Sequence, residues 1–361
     1  LSLEFSPFDA NQDLEKQRSL FLDAFPENAG SIVAEERFYR WKFHSYPDAA
    51  RTAYEYQARD GEDILGYYAA IPYRYHLEGQ EVCVAMVCDV MTHSLARGKG
   101  VFTKLGRYAT NQMAEAGLAI SLGYPIRPEV LPGHLKVGWR VIQELPIYIR
   151  PLRGAPFAKS LNLPWLAMPA SAGVAIYSLV FAGLAAVRAP LRGAKICKGT
   201  ITDLTAHVGF GELQRRWSEP LALSLKKDPP FMLWRFAAPG AVYTSVWVES
   251  GDMLLGYAIT RVTQLKGIPT MAILDLAIDP ASPPSTVEAI LQTVERDARA
   301  SGLAALTAMM SRYWAKKMRL INCGYLPSPH VFKLIGKDLN GTIPPLPEHT
   351  INTMWIDSDD L

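Results

Sequence analysis

The sequence predicts a mixed α/β (α+β) protein built from two tandem copies of one fold, and three observations carry that expectation. Phe38-Tyr39-Arg40-Trp41-Lys42-Phe43 recurs as Phe231-Met232-Leu233-Trp234-Arg235-Phe236, and Ile64-Leu65-Gly66-Tyr67 as Leu254-Leu255-Gly256-Tyr257. Val87-Cys88-Asp89-Val90 then matches Ile273-Leu274-Asp275-Leu276, and Ala116-Gly117-Leu118-Ala119 matches Ser301-Gly302-Leu303-Ala304. Four matches in one order at nearly constant offsets indicate a duplication. Second, runs of strand-like alternation interleave with helical periodicity in both halves. Third, 361 residues suit about two domains of ordinary size.

In chain order, Asp9 or Asn11 can cap a helix carrying Leu14, Leu20, Phe21 and Ala24, which Pro26 ends. The aromatic stretch Phe38–Phe43 leads to a strand near Ala53–Ala58 and a turn at Asp60-Gly61-Glu62-Asp63. Asp-Gly between alternating apolar runs is a hairpin signal, so a second strand runs from Ile64 through Ile71. Glu78-Gly79-Gln80 turns into a third strand, Glu81–Met91. A basic, glycine-containing turn, Thr92–Gly100, then opens a helix that places Leu105, Tyr108, Gln112 and Ala116 near one face. Gly117 stops this helix before another strand, Leu118–Leu122. The domains expected are residues 1–150, a Pro-, Gly- and Ala-rich connector over 151–199, and 200–361.

Strand, glycine turn and helix in that order make an anion cradle. Glycines let the main chain approach a ligand, and the first amides of a helix lack internal partners. Arg97, Lys99 and Lys104 add positive charge there. The Gly-Lys-Ser/Thr of a nucleotide-binding P-loop and the three glycines of a dinucleotide fingerprint are both missing. What Arg97-Gly98-Lys99-Gly100-Val101-Phe102 resembles is the acyl-CoA loop of the GNAT superfamily of N-acyltransferases, Arg/Gln-x-x-Gly-x-Gly/Ala. Phe102 stands where the last small residue is expected, and a basic turn with glycines needed only for geometry is the alternative.

The resemblance implies a central mixed, mostly antiparallel sheet in each module, with two strands splayed apart around the pantetheine arm. It assigns acyl-CoA contacts to Val90, Met91, Thr92, Arg97, Gly98, Lys99, Gly100, Val101, Phe102 and Thr103. It also implies acyl transfer, acetyl first among the choices, from CoA to the amine of a small molecule such as an amino sugar or amino-acid derivative. Asp89, on an apolar strand beside the thioester, is the base candidate. The second copy keeps Asp275, so a structural hydrogen bond shared by both folds is an equal reading. His134 falls where the family often has its acid tyrosine and is the acid candidate, with a surface histidine as the alternative. Tyr67, Tyr68, Tyr73 and Tyr75 line either an acceptor groove or the core. In the second copy Asp279-Pro280-Ala281-Ser282-Pro283-Pro284-Ser285 replaces the cradle and removes amide donors, which predicts a non-catalytic module.

Thirty-seven basic against 35 acidic residues leave a net charge of +2, without the basic footprint of a nucleic-acid binder. Cys83, Cys88, Cys197 and Cys323 have no metal-ligand or disulfide spacing, so neither a zinc site nor a disulfide framework is expected and a reducing cytoplasm is the natural compartment. The first residues lack the pattern of a secretory signal. Residues 163–187 carry no charge and read as a buried or interfacial helix rather than a span, because Pro164, Pro169 and Gly173 interrupt them. Arg188 and Arg192 follow, so peripheral membrane contact through 172–187 stays open. Two other functions also stay open: a non-catalytic acyl-CoA sensor, and an acyltransferase acting on a lipid-linked amine.

Overall fold

The computed structural model describes residues 2–48, 52–186, 191, 193–341, 343 and 345–358. The first half runs β1 (Glu4–Pro7), α1 (Ala10–Ala24), α2 (Glu36–His44), β2 (Tyr54–Asp60), β3 (Asp63–Leu77), β4 (Gln80–Thr92), α3 (Val101–Glu115), β5 (Ile120–Gly123) and α4 (Leu131–Lys136). Then come β6 (Arg140–Pro151), α5 (Ala155–Ser160), α6 (Ala167–Ala186) and β7 (Lys195–Gly199). The second half continues α7 (Ile201–Thr205), α8 (Phe210–Ser218), β8 (Leu223–Leu225), α9 (Pro229–Arg235), β9 (Tyr243–Ser250), β10 (Met253–Leu265) and β11 (Ile268–Ile278). It ends α10 (Ser285–Ala300), β12 (Ala305–Met309), α11 (Arg312–Lys317) and β13 (Leu326–Asp338).

The caps explain several boundaries. Asp9 accepts the Asn11 N–H at 2.9 Å at the start of α1. Asp228 does the same for Phe231 in α9, whose two prolines have no N–H to leave unpaired. The long hairpins β2–β3–β4 and β9–β10–β11 are the repeated meanders.

The strands form one sheet in the order β1-β2-β3-β4-β5-β13-β6-β12-β11-β10-β9-β7, with β8 added to the end of β3. Among the described strands, β4–β5 and β11–β12 pair in parallel. Two strands change places. β6 belongs by sequence to the first half yet pairs with β12, while β13, from the second half, lies between β5 and β6. Each half's sheet is therefore completed by a strand from the other.

The halves also meet through their repeated aromatic motif. The Trp41 and Trp234 rings stack 5.4 Å apart, and Tyr46, Tyr73 and Phe231 close around Trp234. The connector is not mere linker: β7 pairs with β9 as the sheet's far edge. Its apolar segment is helical, as the sequence suggests, but α6 is not buried. No residue of Pro164–Leu184 lies in the core. Arg188 and Arg192 lie outside the described residues.

Candidate acyl-transfer site

β4 and β5 run side by side from Val84↔Ile120 to Val87↔Gly123 and then part. The pairing of β4 with β3 slips at the same level: Ala69 faces Cys88 but Tyr67 faces Met91. Tyr68 thus opposes the extra residue of a bulge at Asp89–Val90, and Asp89 takes φ +46°, a conformation uncommon for a residue with a Cβ. The bulge takes main-chain groups of β4 out of the ladder with β3.

A cavity of about 330 Å³ fills that gap. Val87–Val90 and Gly123–Arg127 form its inner walls, and α1, α2 and the turns between them form the roof with Arg18, Phe21, Phe25 and Tyr39. His134 closes one side. Asp89 and His134, far apart in sequence, therefore meet in one cavity. The tyrosines Tyr67, Tyr68, Tyr73 and Tyr75 do not; all four are core residues, and the aromatic walls come from α1, α2 and Tyr124 instead.

Asp89 Oδ1 accepts from Lys42 Nζ at 2.8 Å, and Lys42 is buried. The second half repeats the pair with Lys227 and Asp275 at 2.6 Å, fully enclosed and joined by Tyr257 Oη. Lys42 lies inside α2 whereas Lys227 precedes α9, so the two lysines reach their aspartates from different places. A lysine among the aromatic residues of Phe38–Phe43 was the visible trace of this pair. Arg18 stacks on Phe21 and Tyr39 at 4.7 and 5.0 Å. Its Nη2 is buried and has no hydrogen-bond partner among the described residues.

His134 sits in α4 rather than on a surface loop, with 6 % of its surface exposed. Phe102 and Trp139 pack against it, each with ring centroids 5.0 Å away. Burial among these rings lowers its pKa to about 4, so the imidazole is neutral at pH 7. Phe102 turns its side chain away from the cradle onto Gly133, where an added Cβ would come within 2.6 Å of the ring. A large residue at that point of the loop is thus compatible with access to its main chain.

The cradle itself is exposed. Gly98 and Gly100 have φ of +76° and +78°, which favour glycine, and Gly100 is the N-cap of α3. The amides of Val101, Phe102 and Thr103 open the helix, where no preceding turn accepts them. Arg97 and Lys99 stand beside them in solvent, and Asp23 anchors the preceding turn by accepting from Ser94 N–H at 2.6 Å. Val90, Met91 and Thr92 lead from the cavity to this cradle along β4. The second half has the prolines of residues 280–284 at the equivalent level, before α10. No group of three or more His, Cys, Asp or Glu residues among the described residues could hold a metal.

A search of curated protein sequences finds no significant match. Solved structures do. The chain is similar to a GCN5-related N-acetyltransferase from Anabaena variabilis at 12% identity and TM-score 0.65, over 94% of this chain and 73% of that one. It is similar to a tandem GNAT protein from the clavulanic acid biosynthesis pathway at 14% identity and TM-score 0.57, over 94% and 100%. It is also similar to Saccharomyces cerevisiae N-myristoyltransferase solved with myristoyl-CoA, at 14% identity and TM-score 0.61, over 100% and 85%. These likenesses show the fold. In sequence, residues 10–142 match the acetyltransferase (GNAT) domain family, and the chain as a whole has the tandem GNAT fold.

Proposed function

We propose that this chain is an acyl-CoA-dependent N-acyltransferase whose working site is the first module. One observation carries the reading most: β4, with its bulge at Asp89, runs from the cationic cradle to a cavity in the gap between β4 and β5, under α1 and α2. Pyrophosphate would rest on the amides of 98–103 and the charges of Arg97 and Lys99. The pantetheine arm would lie along Val90–Thr92, bringing the thioester to the bulge.

In this reading the acceptor nitrogen attacks the thioester carbon. The C–N bond forms as the C–S bond breaks, and a main-chain N–H at the bulge stabilises charge on the carbonyl oxygen. The amine's proton passes to the Asp89 carboxylate, which Lys42 holds in place, and from there to the departing thiolate. His134, neutral at working pH, serves as a hydrogen-bond donor to the sulfur rather than as an imidazolium acid.

The cavity favours an amino-acid derivative over an amino sugar. Its walls are aromatic, and the unpaired buried Nη2 of Arg18 suits a carboxylate on the acceptor. The reading fits a cytoplasmic location, where acyl-CoA is at hand. The test is release of free CoA thiol from acetyl-CoA with a panel of amines, in which amino acids and their carboxamides are compared. Release with amino acids supports the proposal. Binding of acetyl-CoA without release across the panel replaces it with the sensor reading.

A further inference from the structure

We propose that α6 and the arginine-lined cavity beside it form a docking surface for a bilayer containing anionic lipid. Two independent observations meet there. The first is the helix. Its 20 residues contain no charge and span about 30 Å. One side is fixed to the second module: Tyr177 Oη donates to Gly324 O at 2.8 Å, and Arg299 Nη2 donates to Ser178 Oγ at 3.0 Å. The opposite side presents Met168, Ile176, Val180 and Leu184 to solvent, with Ile176 64% exposed. A continuous apolar face of this length is unusual on a soluble surface and marks an interaction site. Because the inner side is held by protein, the helix would lie flat in the headgroup–acyl boundary rather than cross it.

The second observation is the cavity, about 780 Å³, between α6 and α10 and distant in sequence from the acyl-transfer residues. Arg150, Arg153, Arg296 and Arg299 line it, and Glu295 is the one carboxylate among the lining residues. Glu295 accepts from Arg150 Nε and Nη2 at 3.2 Å and from Arg299 at 2.7 Å. Arg150 is 2% exposed, yet its buried Nη1 has no hydrogen-bond partner among the described residues. Its guanidinium also lies over the Tyr177 and Phe181 rings of α6, at 5.0 and 5.1 Å. Four arginines against one carboxylate make the cavity cationic, and a cationic cavity calls for an anion. Its place against an apolar helix selects a phosphate that arrives with acyl chains attached. A second copy of the chain on this face would bring another cationic cavity, whereas an anionic leaflet supplies the missing charge.

The test uses flotation of the full chain with phosphatidylcholine vesicles, with and without phosphatidylglycerol, and does not depend on catalysis. The expected result is flotation with phosphatidylglycerol that weakens as salt rises and that inorganic phosphate does not abolish. Ile176→Glu with Val180→Glu, on the exposed face, lowers partitioning by about tenfold or more. Arg153→Ala with Arg296→Ala lowers it selectively for the anionic vesicles. Unchanged circular dichroism melts show that both variants fold. A chain that stays at the bottom with both vesicles overturns the proposal, as does flotation unaffected by the Glu pair. Loss of flotation in inorganic phosphate would make the cavity a free-anion site and also overturn it. So would a dimer in vesicle-free buffer that the Glu pair dissociates, because the occupant would then be a second copy.

Discussion

The indole N–H of Trp41 donates to the main-chain carbonyl of Trp234 at 2.9 Å, and that of Trp234 donates back to the carbonyl of Trp41 at 3.1 Å. Both bonds are buried and the rings stack between them. One residue of each copy of the repeated motif thus seals the junction of the two halves by a reciprocal exchange. Trp41→Phe and Trp234→Phe should each cost about 1–2 kcal/mol, since each leaves a buried carbonyl without its donor. A double-mutant cycle in urea should show coupling between the two, through the shared stack, on the order of 1 kcal/mol. Additive losses would show that the two bonds act separately.

The cradle predicts a separation between strain and charge. Gly100→Ala forces a Cβ into φ +78° without meeting a close neighbour. It should therefore lower stability by about 1 kcal/mol and weaken acyl-CoA binding through the displaced helix start. Arg97→Ala removes an exposed guanidinium and should leave the melting temperature of the free protein unchanged. It should raise the dissociation constant for acetyl-CoA about tenfold, in a salt-dependent way. Calorimetric titration of the two variants distinguishes them, and equal affinity in Arg97→Ala would remove that residue from the site.

Asp89 carries two proposed duties that one pair of variants separates. Asp89→Asn breaks the ion pair between the Asp89 carboxylate and the buried Lys42 ammonium and should cost about 3–5 kcal/mol. Adding Lys42→Met should restore much of that stability. Thiol release should stay at least about a hundredfold down in the double variant, in line with the loss of a general base. Recovered activity together with recovered stability would leave Asp89 a structural role alone, as Asp275 has in the second half.

Two buried groups should pull stability in opposite directions as pH falls. Burial lowers the His134 pKa from 6.5 to about 4, so the unfolded chain binds its proton first and acidification through this window should cost about 3 kcal/mol. Asp357 is raised to about 6 by burial, against the opposing charge of Lys227. The folded chain therefore holds that proton more tightly, and between about pH 6 and 4 acidification should return about 3 kcal/mol. Relative to the unsubstituted chain, His134→Phe should gain stability on acidification and Asp357→Asn should lose it. Denaturant midpoints at pH 7, 5 and 4 read the signs directly, and like signs in both variants would defeat this account.

Much of this was legible in the sequence because it depends on local rules. The meanders follow from glycine turns such as Asp60-Gly61 and Glu78-Gly79 and from two-residue alternation, the cradle from glycines between a strand and a helix, and the duplication from motifs such as Phe38–Phe43 that pack the same way twice. The exchange of β6 and β13 was not legible, since alternation marks which face of a strand is apolar and says nothing of its neighbours. Tyr67, Tyr68, Tyr73 and Tyr75 carry no sign of which layer covers them. His134 follows Pro132-Gly133, a turn signal that the six-residue α4 overrides. Arg18 gave only a faint signal, an arginine one turn before Phe21 on α1, and its place in the cavity depends on how α1 crosses β4.

Because β6 completes one half of the sheet and β13 the other, the fold has no scission point that yields two finished pieces. A protease cut anywhere between β6 and β7 would leave two fragments, each still clasping a strand of its partner. They would stay together as a nicked protein, and a cell making them from separate messages would have to assemble them as a heterodimer. For the ribosome-bound chain the same geometry means waiting: β5 has no neighbour on one side until β13, the last strand, emerges. The first module, though encoded first, is completed only by β13.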